Sequence, residues 1–266
     1  MWSVKSEGMC PVAAQSVNSV ERAARLLDAM AEAGGGSGVS PLAAKTGLPY
    51  ATVHRLLTAL TACGYVRQEA GSRRYVLGPA LVRLGTTARR AYGWWAQPYL
   101  EELAELSGET ANLASLDGDE IVYVAQAQSS QMMRMFAEVG NRVPVHTTAV
   151  GKVLLGFRPR DEVTALAKRR GLAPKTPHTI TTVDRLIEEV EKARVDGYAT
   201  DDGEAELGVN CVAVPVVAEG GREPLAAMSI SGPASRLTPE RRAEIVPAMI
   251  RLADRMAAEA EHGTTP

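Results

Sequence analysis

Residues 40–75, SPLAAKTGLPYATVHRLLTALTACGYVRQEAGSRRY, constrain the fold more than any other stretch of the chain. They read as a helix, a tight turn, a second helix and a short basic hairpin. Ser40 is a good N-cap and Pro41 suits a first helical position, so the spacing predicts a compact helix from Leu42. Gly47 stops it where a positive φ costs little. Pro49 opens the next helix, with Val53, Leu56, Leu57 and Leu60 recurring at helical spacing as its buried face. Tyr50, Ala51, Thr52, His54 and Arg55 remain on its outer face near the N-terminus. Such side chains suit a major groove, where base edges and phosphates are both in reach. Gly64–Arg67 and Arg73–Leu77 then form two strands around Ala70-Gly71, a wing carrying Arg67, Arg73 and Arg74. An ordinary two-helix corner is the plain alternative; the basic wing that follows at once favours a winged helix-turn-helix that binds DNA.

Charge supports that expectation once it is split. Residues 1–90 hold 11 Lys+Arg against 5 Asp+Glu, whereas the remainder holds 18 against 26, so a net charge of −2 hides a basic first module and an acidic second. A local cationic excess beside a helix-turn-helix is what a phosphate-backbone binder needs. At 266 residues the chain is long enough for two cores. It contains no run of about 18 apolar residues, so no membrane span is expected. The opening MWSVKSEGMCPVAAQ has no long apolar segment and reads as a loose tail, not a secretory signal. Cys10, Cys63 and Cys211 are odd in number and far apart, which argues against a disulfide framework and for a cytoplasmic setting.

Before the helix-turn-helix, residues 17–33 form an amphipathic helix with Val17, Val20, Ala24, Leu27 and Met30 on one face. The GGGSG at 34–38 follows a helix, so a flexible connection explains it better than a phosphate loop. Beyond Gly78-Pro79, residues 80–91 read as a linker helix with Leu81, Leu84 and Ala88 in register and Arg89-Arg90 near its end. Trp95, Tyr99, Leu103 and Leu106 define the next helix. Strands then take over: 112–116 and 120–127 flank Asp117-Gly118, a hairpin signal, and 132–138 and 143–145 follow. Short helices at 148–156, 161–170 and 183–195 lead to strands at 198–201, 209–217 and 225–231, and a last helix starts near Thr238. The expected fold is α+β: a tail at 1–16, a DNA-binding domain at 17–78, a linker helix at 79–92, a sensor-like domain at 93–260 and a tail at 261–266.

Most catalytic signatures fail. Gly151-Lys152 resembles the end of a nucleotide-binding loop, but His146 stands where its first glycine belongs and Val153 follows the lysine. A zinc site using His146 and Cys211 has no supporting spacing. A small-anion site is better motivated. Thr148, Ala149, Val150 and Gly151 take a strand end into a helix start, whose free N–H groups suit a carboxylate. Plain capping by Thr147 or Thr148 explains the same residues. Ser229 and Ser231 share one face of a strand, and Cys211 interrupts an apolar strand beside Asp201 and Asp202. These side chains can line a pocket or simply pack with local hydrogen bonds.

Six blocks resemble the IclR family of bacterial transcriptional regulators: 47–66, 75–85, SGETANLA at 107–114, VPVHTTAVGKVLL at 143–155, 197–216 with LGVNCVA, and 226–238. The resemblance runs from about Val17 to the last helix. It implies a winged-helix domain, a linker helix and a GAF/PAS-like effector domain around an antiparallel sheet. It also implies homodimers pairing into homotetramers on palindromic operator DNA, with no cofactor and no enzymatic activity. The blocks look most like the branch that controls glyoxylate and allantoin metabolism; control of aromatic-acid or other carbon catabolism is the alternative. The family's site residues carry over to backbone at Ala149 and Val150, side chains of Asp201, Cys211, Ser229 and Ser231, and an apolar wall of Met135 and Val143. A small carboxylate or ureide is the implied effector. Val150 is bulkier than the alanine of some glyoxylate binders, which implies a differently shaped pocket.

Overall fold

The structure, a computed structural model, describes residues 18–92, 94–131, 139–218 and 220–262. The expected tail at 1–16, Val17, the strand at 132–138 with Met135, and residues 263–266 lie outside the described residues, as do the side chains of Arg89 and Arg90. Contacts divide the chain into two compact units after Ala88.

The first unit contains α1 (Asn18–Glu32), α2 (Val39–Thr46), α3 (Tyr50–Ala62), β1 (Val66–Gln68) and β2 (Tyr75–Leu77). Gly47 sits at φ 68°, and its N–H bonds to the Ala43 carbonyl, ending α2 as expected. Leu26, Leu42, Val53, Leu57 and Val66 form a small closed core. Each fully buried aliphatic side chain of this kind contributes about 1.5–3 kcal/mol. Three expectations change. α2 starts at Val39 with Gly38 as its N-cap and no side-chain bond, so Ser40 lies inside the first turn and does not cap it. The buried face of α1 is Leu26, Ala29 and Met30, flanked by Ala23 and Leu27, whereas Val20 is 66% exposed. α2, α3 and β2 all pack on α1, and their common hollow draws in the stripe one residue round from the expected one. The glycine-rich connection is not slack either: Ser37 and Tyr75 exchange backbone hydrogen bonds of 2.9 and 2.8 Å, adding a rung beside the wing.

Helix α4 (Ala80–Tyr92) contains the division between the units. The second unit continues through a 3₁₀ turn (Trp94–Ala96) and α5 (Gln97–Ser107) into β3 (Thr110–Asp117), β4 (Glu120–Ala127) and β5 (Arg142–Pro144). After a second 3₁₀ turn (Val145–Thr147) come α6 (Ala149–Leu155), α7 (Arg160–Arg170) and α8 (Val183–Asp196). Strands β6 (Ala199–Asp202), β7 (Val209–Val217) and β8 (Pro224–Pro233) precede α9 (Pro239–His262). All six strands join one antiparallel sheet in the order β5-β4-β3-β8-β7-β6. The closing strand β8 thus inserts beside β3, so the sheet cannot be completed until the far end of the domain arrives.

Helices cover both faces. α5 and α9 pack on Leu113, Val212, Val214, Val216, Met228 and Ile230. α6, α7 and α8 pack with Ala114, Ala199, Ala213 and Ala227. Small side chains on that second face let α6 lie close across the strands. Leu106, expected in the α5 core, is 51% exposed; Ala96, Leu100 and Leu103 carry that contact instead. The i, i+4, i+7 stripe at 96, 100 and 103 is the one that meets the sheet.

Candidate DNA interface and ligand site

The helix-turn-helix leaves a continuous exposed surface on its second helix. Tyr50 is 57% exposed, Ala51, His54 and Arg55 are exposed and Thr52 is half-buried. Burial of Val53 and Leu57 orients the helix, so the other face must present these residues. On the wing, Arg67, Arg73 and Arg74 are all exposed. The loop between β1 and β2 is well bonded: Glu69 N–H reaches the Arg74 carbonyl at 2.8 Å and Gln68 Nε2 the Arg73 carbonyl at 3.0 Å. Arg73 sits at φ 55°, a conformation a non-glycine residue adopts at some cost. Ser40 is exposed on the first turn of α2.

In the second unit, strand register gathers distant residues. Asp201 pairs with Cys211, Cys211 with Ser231, and Ser231 with Thr110, so four strands place these side chains in one row. A second row runs Ala213, Ser229, Asn112 and Gln126. Paired residues in a sheet share a face, and these rows lie on the side covered by α6. They are joined by hydrogen bonds: Cys211 Sγ donates to Ser231 Oγ at 3.2 Å, and Asn112 Nδ2 donates to the same oxygen at 3.4 Å. Gln126 Nε2 donates to Asn112 Oδ1 at 3.0 Å. Tyr123 on β4 lies close enough to Cys211 and Asp201 to feel their charge, and Val143 on β5 packs against the apolar cluster on the same side. Sequence reasoning singled out Asp201, Cys211, Ser229 and Ser231; it missed Asn112, Gln126 and Tyr123, which only the β3–β8 and β3–β4 pairings bring there.

The start of α6 follows the capping alternative. Thr148 is the N-cap, and its Oγ1 accepts the Gly151 N–H at 3.1 Å. A Cβ on Gly151 would stand 2.0 Å from the Val145 carbonyl oxygen. Close passage of the preceding turn therefore requires this glycine, and its N–H is already taken. The Ala149 and Val150 N–H groups precede the first helical bond, which Lys152 makes to the Thr148 carbonyl at 3.2 Å. His146 is buried and its Nε2 meets the Ala173 carbonyl at 3.1 Å; burial holds its pKa below the ordinary value. Among the described residues, no His, Cys, Asp and Glu cluster can hold a metal ion.

Lys152 is wholly buried and its Nζ lies 2.6 Å from Glu204 Oε1. Glu204 in turn donates its backbone N–H to Asp201 Oδ1 at 2.7 Å. Burial pushes the Asp201 carboxyl up to about 6, against the pull of backbone N–H groups and Lys152. Burial likewise raises Cys211 and Tyr123, and Asp201 adds to both shifts. The thiol is thus a neutral donor at neutral pH, not a reactive thiolate. Two open cavities border the same helical layer elsewhere: one of about 450 Å³ beside Gly156 and Arg194, another of about 480 Å³ beside His178 and Thr200. Neither contains the polar rows, so hydrogen-bonding chemistry, not open volume, identifies the site.

A winged helix-turn-helix followed by an α+β domain with a buried polar cluster defines a two-domain, ligand-responsive transcription regulator. Residues 19–70 match the IclR helix-turn-helix domain, and 94–258 match the bacterial transcriptional regulator IclR C-terminal domain. The chain belongs to the IclR family. It is 38% identical over 247 residues to the acetate operon repressor of Salmonella typhimurium, covering 91% of this chain and 89% of that protein. It is 35% identical over 233 residues to the transcriptional repressor AllR of Escherichia coli, covering 87% and 86%. The crystal structure of Thermotoga maritima IclR matches with a TM-score of 0.73 and 32% identity, over 91% of this chain and 98% of that one. Both matched domains are those of transcriptional regulators, not of enzymes. Among the described residues no helix is long and apolar enough to cross a membrane.

Proposed function

We propose that this chain is a transcriptional repressor released from its operator by a small carboxylate or ureide bound on the polar face of the sheet. The observation that carries the ligand half is the row Asp201–Cys211–Ser231, where acceptor, thiol and hydroxyl from three strands converge beneath α6. Ser229, the N–H groups of Ala149 and Val150, the cap Thr148 and the apolar Val143 complete the site. Met135 belongs to it by family resemblance. Gly151 serves packing. Repression follows the names of the relatives, and the acetate operon repressor together with the resemblance to the glyoxylate and allantoin branch favours a small acid. Such a regulator works in the bacterial cytoplasm, where its DNA is.

Tyr50, Ala51, Thr52 and His54 read bases, while Ser40, Arg55, Arg67, Arg73 and Arg74 hold phosphates. The chain acts as a homodimer, and as a homotetramer on two half-sites. Helix α4 exposes Val82 at 70% and Leu84 at 44%, apolar surface suited to a second copy. Ligand binding shifts the spacing of paired DNA modules by its difference in affinity for two arrangements, typically about 1–3 kcal/mol. Replacing Arg73 with Ala weakens binding to all sequences alike and lowers the salt slope by about one; relaxed sequence preference instead would assign Arg73 to base reading.

The test is binding to the DNA upstream of the protein's own gene, titrated with glyoxylate, pyruvate, allantoate and allantoin. Release by one of them, abolished in Ser229→Ala/Ser231→Ala, supports the reading. DNA binding indifferent to all four removes this ligand class. Absence of specific binding at every salt concentration removes the operator assignment.

A further inference from the structure

The buried polar face has an unusual charge balance. Asp201 and Glu204 bring two carboxyls, and Lys152 brings one ammonium already committed to Glu204 at 2.6 Å. Cys211 and Tyr123 remain neutral because burial raises both. Among the described residues of the cluster, no cation is left over for an incoming anion. Glu204 Oε2 is itself buried without a hydrogen-bond partner.

Among the described residues, the following groups face Asp201. Cys211 and Ser231 lie beside it on β7 and β8, and Tyr123 reaches in from β4. Lys152 approaches from α6, and Glu204 and Ala205 supply backbone N–H groups from the following loop. Arg242 on α9 pairs with Asp202, whose side chain takes the opposite face, and His178 bonds the Asp202 carbonyl. Asp201 itself is 1% exposed, so water cannot screen a second negative charge placed against it. Two carboxylates in such a space share a proton.

We propose that the site takes a monocarboxylate together with one proton, which settles on Asp201 and is donated to the ligand, and that this charge requirement excludes dicarboxylates. The inference rests on the ligand site proposed above and deepens it. Asp201 becomes the specificity-determining group: ionised it can only accept, but protonated it offers its O–H to the ligand's carboxylate oxygen. The elevated pKa of about 6 in the unliganded chain leaves that proton easy to recruit. A dicarboxylate brings a second charge, and the other carboxyl nearby, Glu204, is already held by the Lys152 ammonium at 2.6 Å.

The experiment is calorimetric titration of the full chain with glyoxylate and pyruvate, and with oxalate and malonate, between about pH 5.5 and about pH 8.5 in buffers of different ionisation heat. Expected are uptake of about one proton per monocarboxylate at about pH 7.5 and an affinity that falls roughly tenfold per pH unit once the pH exceeds about 6. Oxalate and malonate should bind about a hundredfold more weakly, the cost of one uncompensated buried charge. Asp201→Asn, whose amide donates at every pH, should abolish the proton uptake and the pH dependence. Binding of glyoxylate or pyruvate with no proton uptake, or equal affinity for oxalate, overturns the inference while leaving the ligand site intact. No binding of any acid at any pH overturns the ligand site and the inference together. A carbon-13 carboxyl titration of Asp201 in the unliganded chain gives a readout independent of the variant: a midpoint near 4, the ordinary aspartate value, overturns the inference.

Discussion

The two faces of the six-stranded sheet are made by the same strands and do opposite work. Toward α5 and α9, β7 and β8 present Val212, Val214, Val216, Met228 and Ile230, all buried and apolar. Toward α6, the residues between them are Cys211, Ala213, Ser229 and Ser231. The first face excludes water with bulk. The second uses small and polar groups, leaving room for α6 and hydrogen-bonding capacity for a ligand. Both sides carry an apolar core, but the second also holds buried polar side chains between the strands and α6.

The largest expected effect tests whether the polar face is as costly to disturb as its ion pair suggests. Lys152→Met leaves Glu204 buried and uncompensated, so unfolding free energy should drop by about 3–5 kcal/mol in urea titrations. A loss below about 1 kcal/mol would mean that Glu204 simply takes a proton or turns to solvent. On the apolar face, Ile230→Ala should cost about 2–5 kcal/mol while leaving ligand affinity within a few fold. A ligand-specific defect there would erase the division of labour. Asp201 links the polar face to pH. Its folded pKa of about 6 lies above the ordinary 3.8, so the folded chain retains a proton that the unfolded chain has released between those values. Stability contributed at low pH is therefore lost as pH rises through that window, by an amount on the order of 2–3 kcal/mol. Asp201→Asn should flatten this fall, and a slope identical to that of the parent chain would refute the assignment. The smallest stability effect belongs to Ser229→Ala/Ser231→Ala, about 1–2 kcal/mol, because the hydroxyls make few bonds. Its effect on ligand-induced release should nevertheless be complete, and that contrast is the sharpest mark of a recognition face.

Legibility followed the range of the interactions. Gly47 at φ 68° and the hairpin at Asp117-Gly118 are local events, visible from residue type. The shared face of Ser229 and Ser231 follows from a two-residue period. Asn112 and Ser231 are 119 positions apart, and only the insertion of β8 beside β3 joins them. Lys152 looked like a stray nucleotide-loop lysine because its partner, Glu204, lies 52 residues onward. Nothing in the local sequence shows why position 151 is glycine, because the backbone of Val145 that passes it is fixed by the fold. On α1 Leu27 and Met30 pack as expected, whereas Val20 does not, since the exact phase depends on which neighbours pack against the helix.

Alternation along β8 also bears on descent. With Met228 and Ile230 interleaved between Ala227, Ser229 and Ser231, every second position is free to drift toward a new ligand while its neighbours hold the core. Insertion or deletion of a single residue would exchange the two sets, sending hydroxyls into the core and isoleucine into the pocket. A lineage built on this strand can therefore change what it senses by substitution, letter by letter, and is barred from doing so by slippage of the reading along the strand.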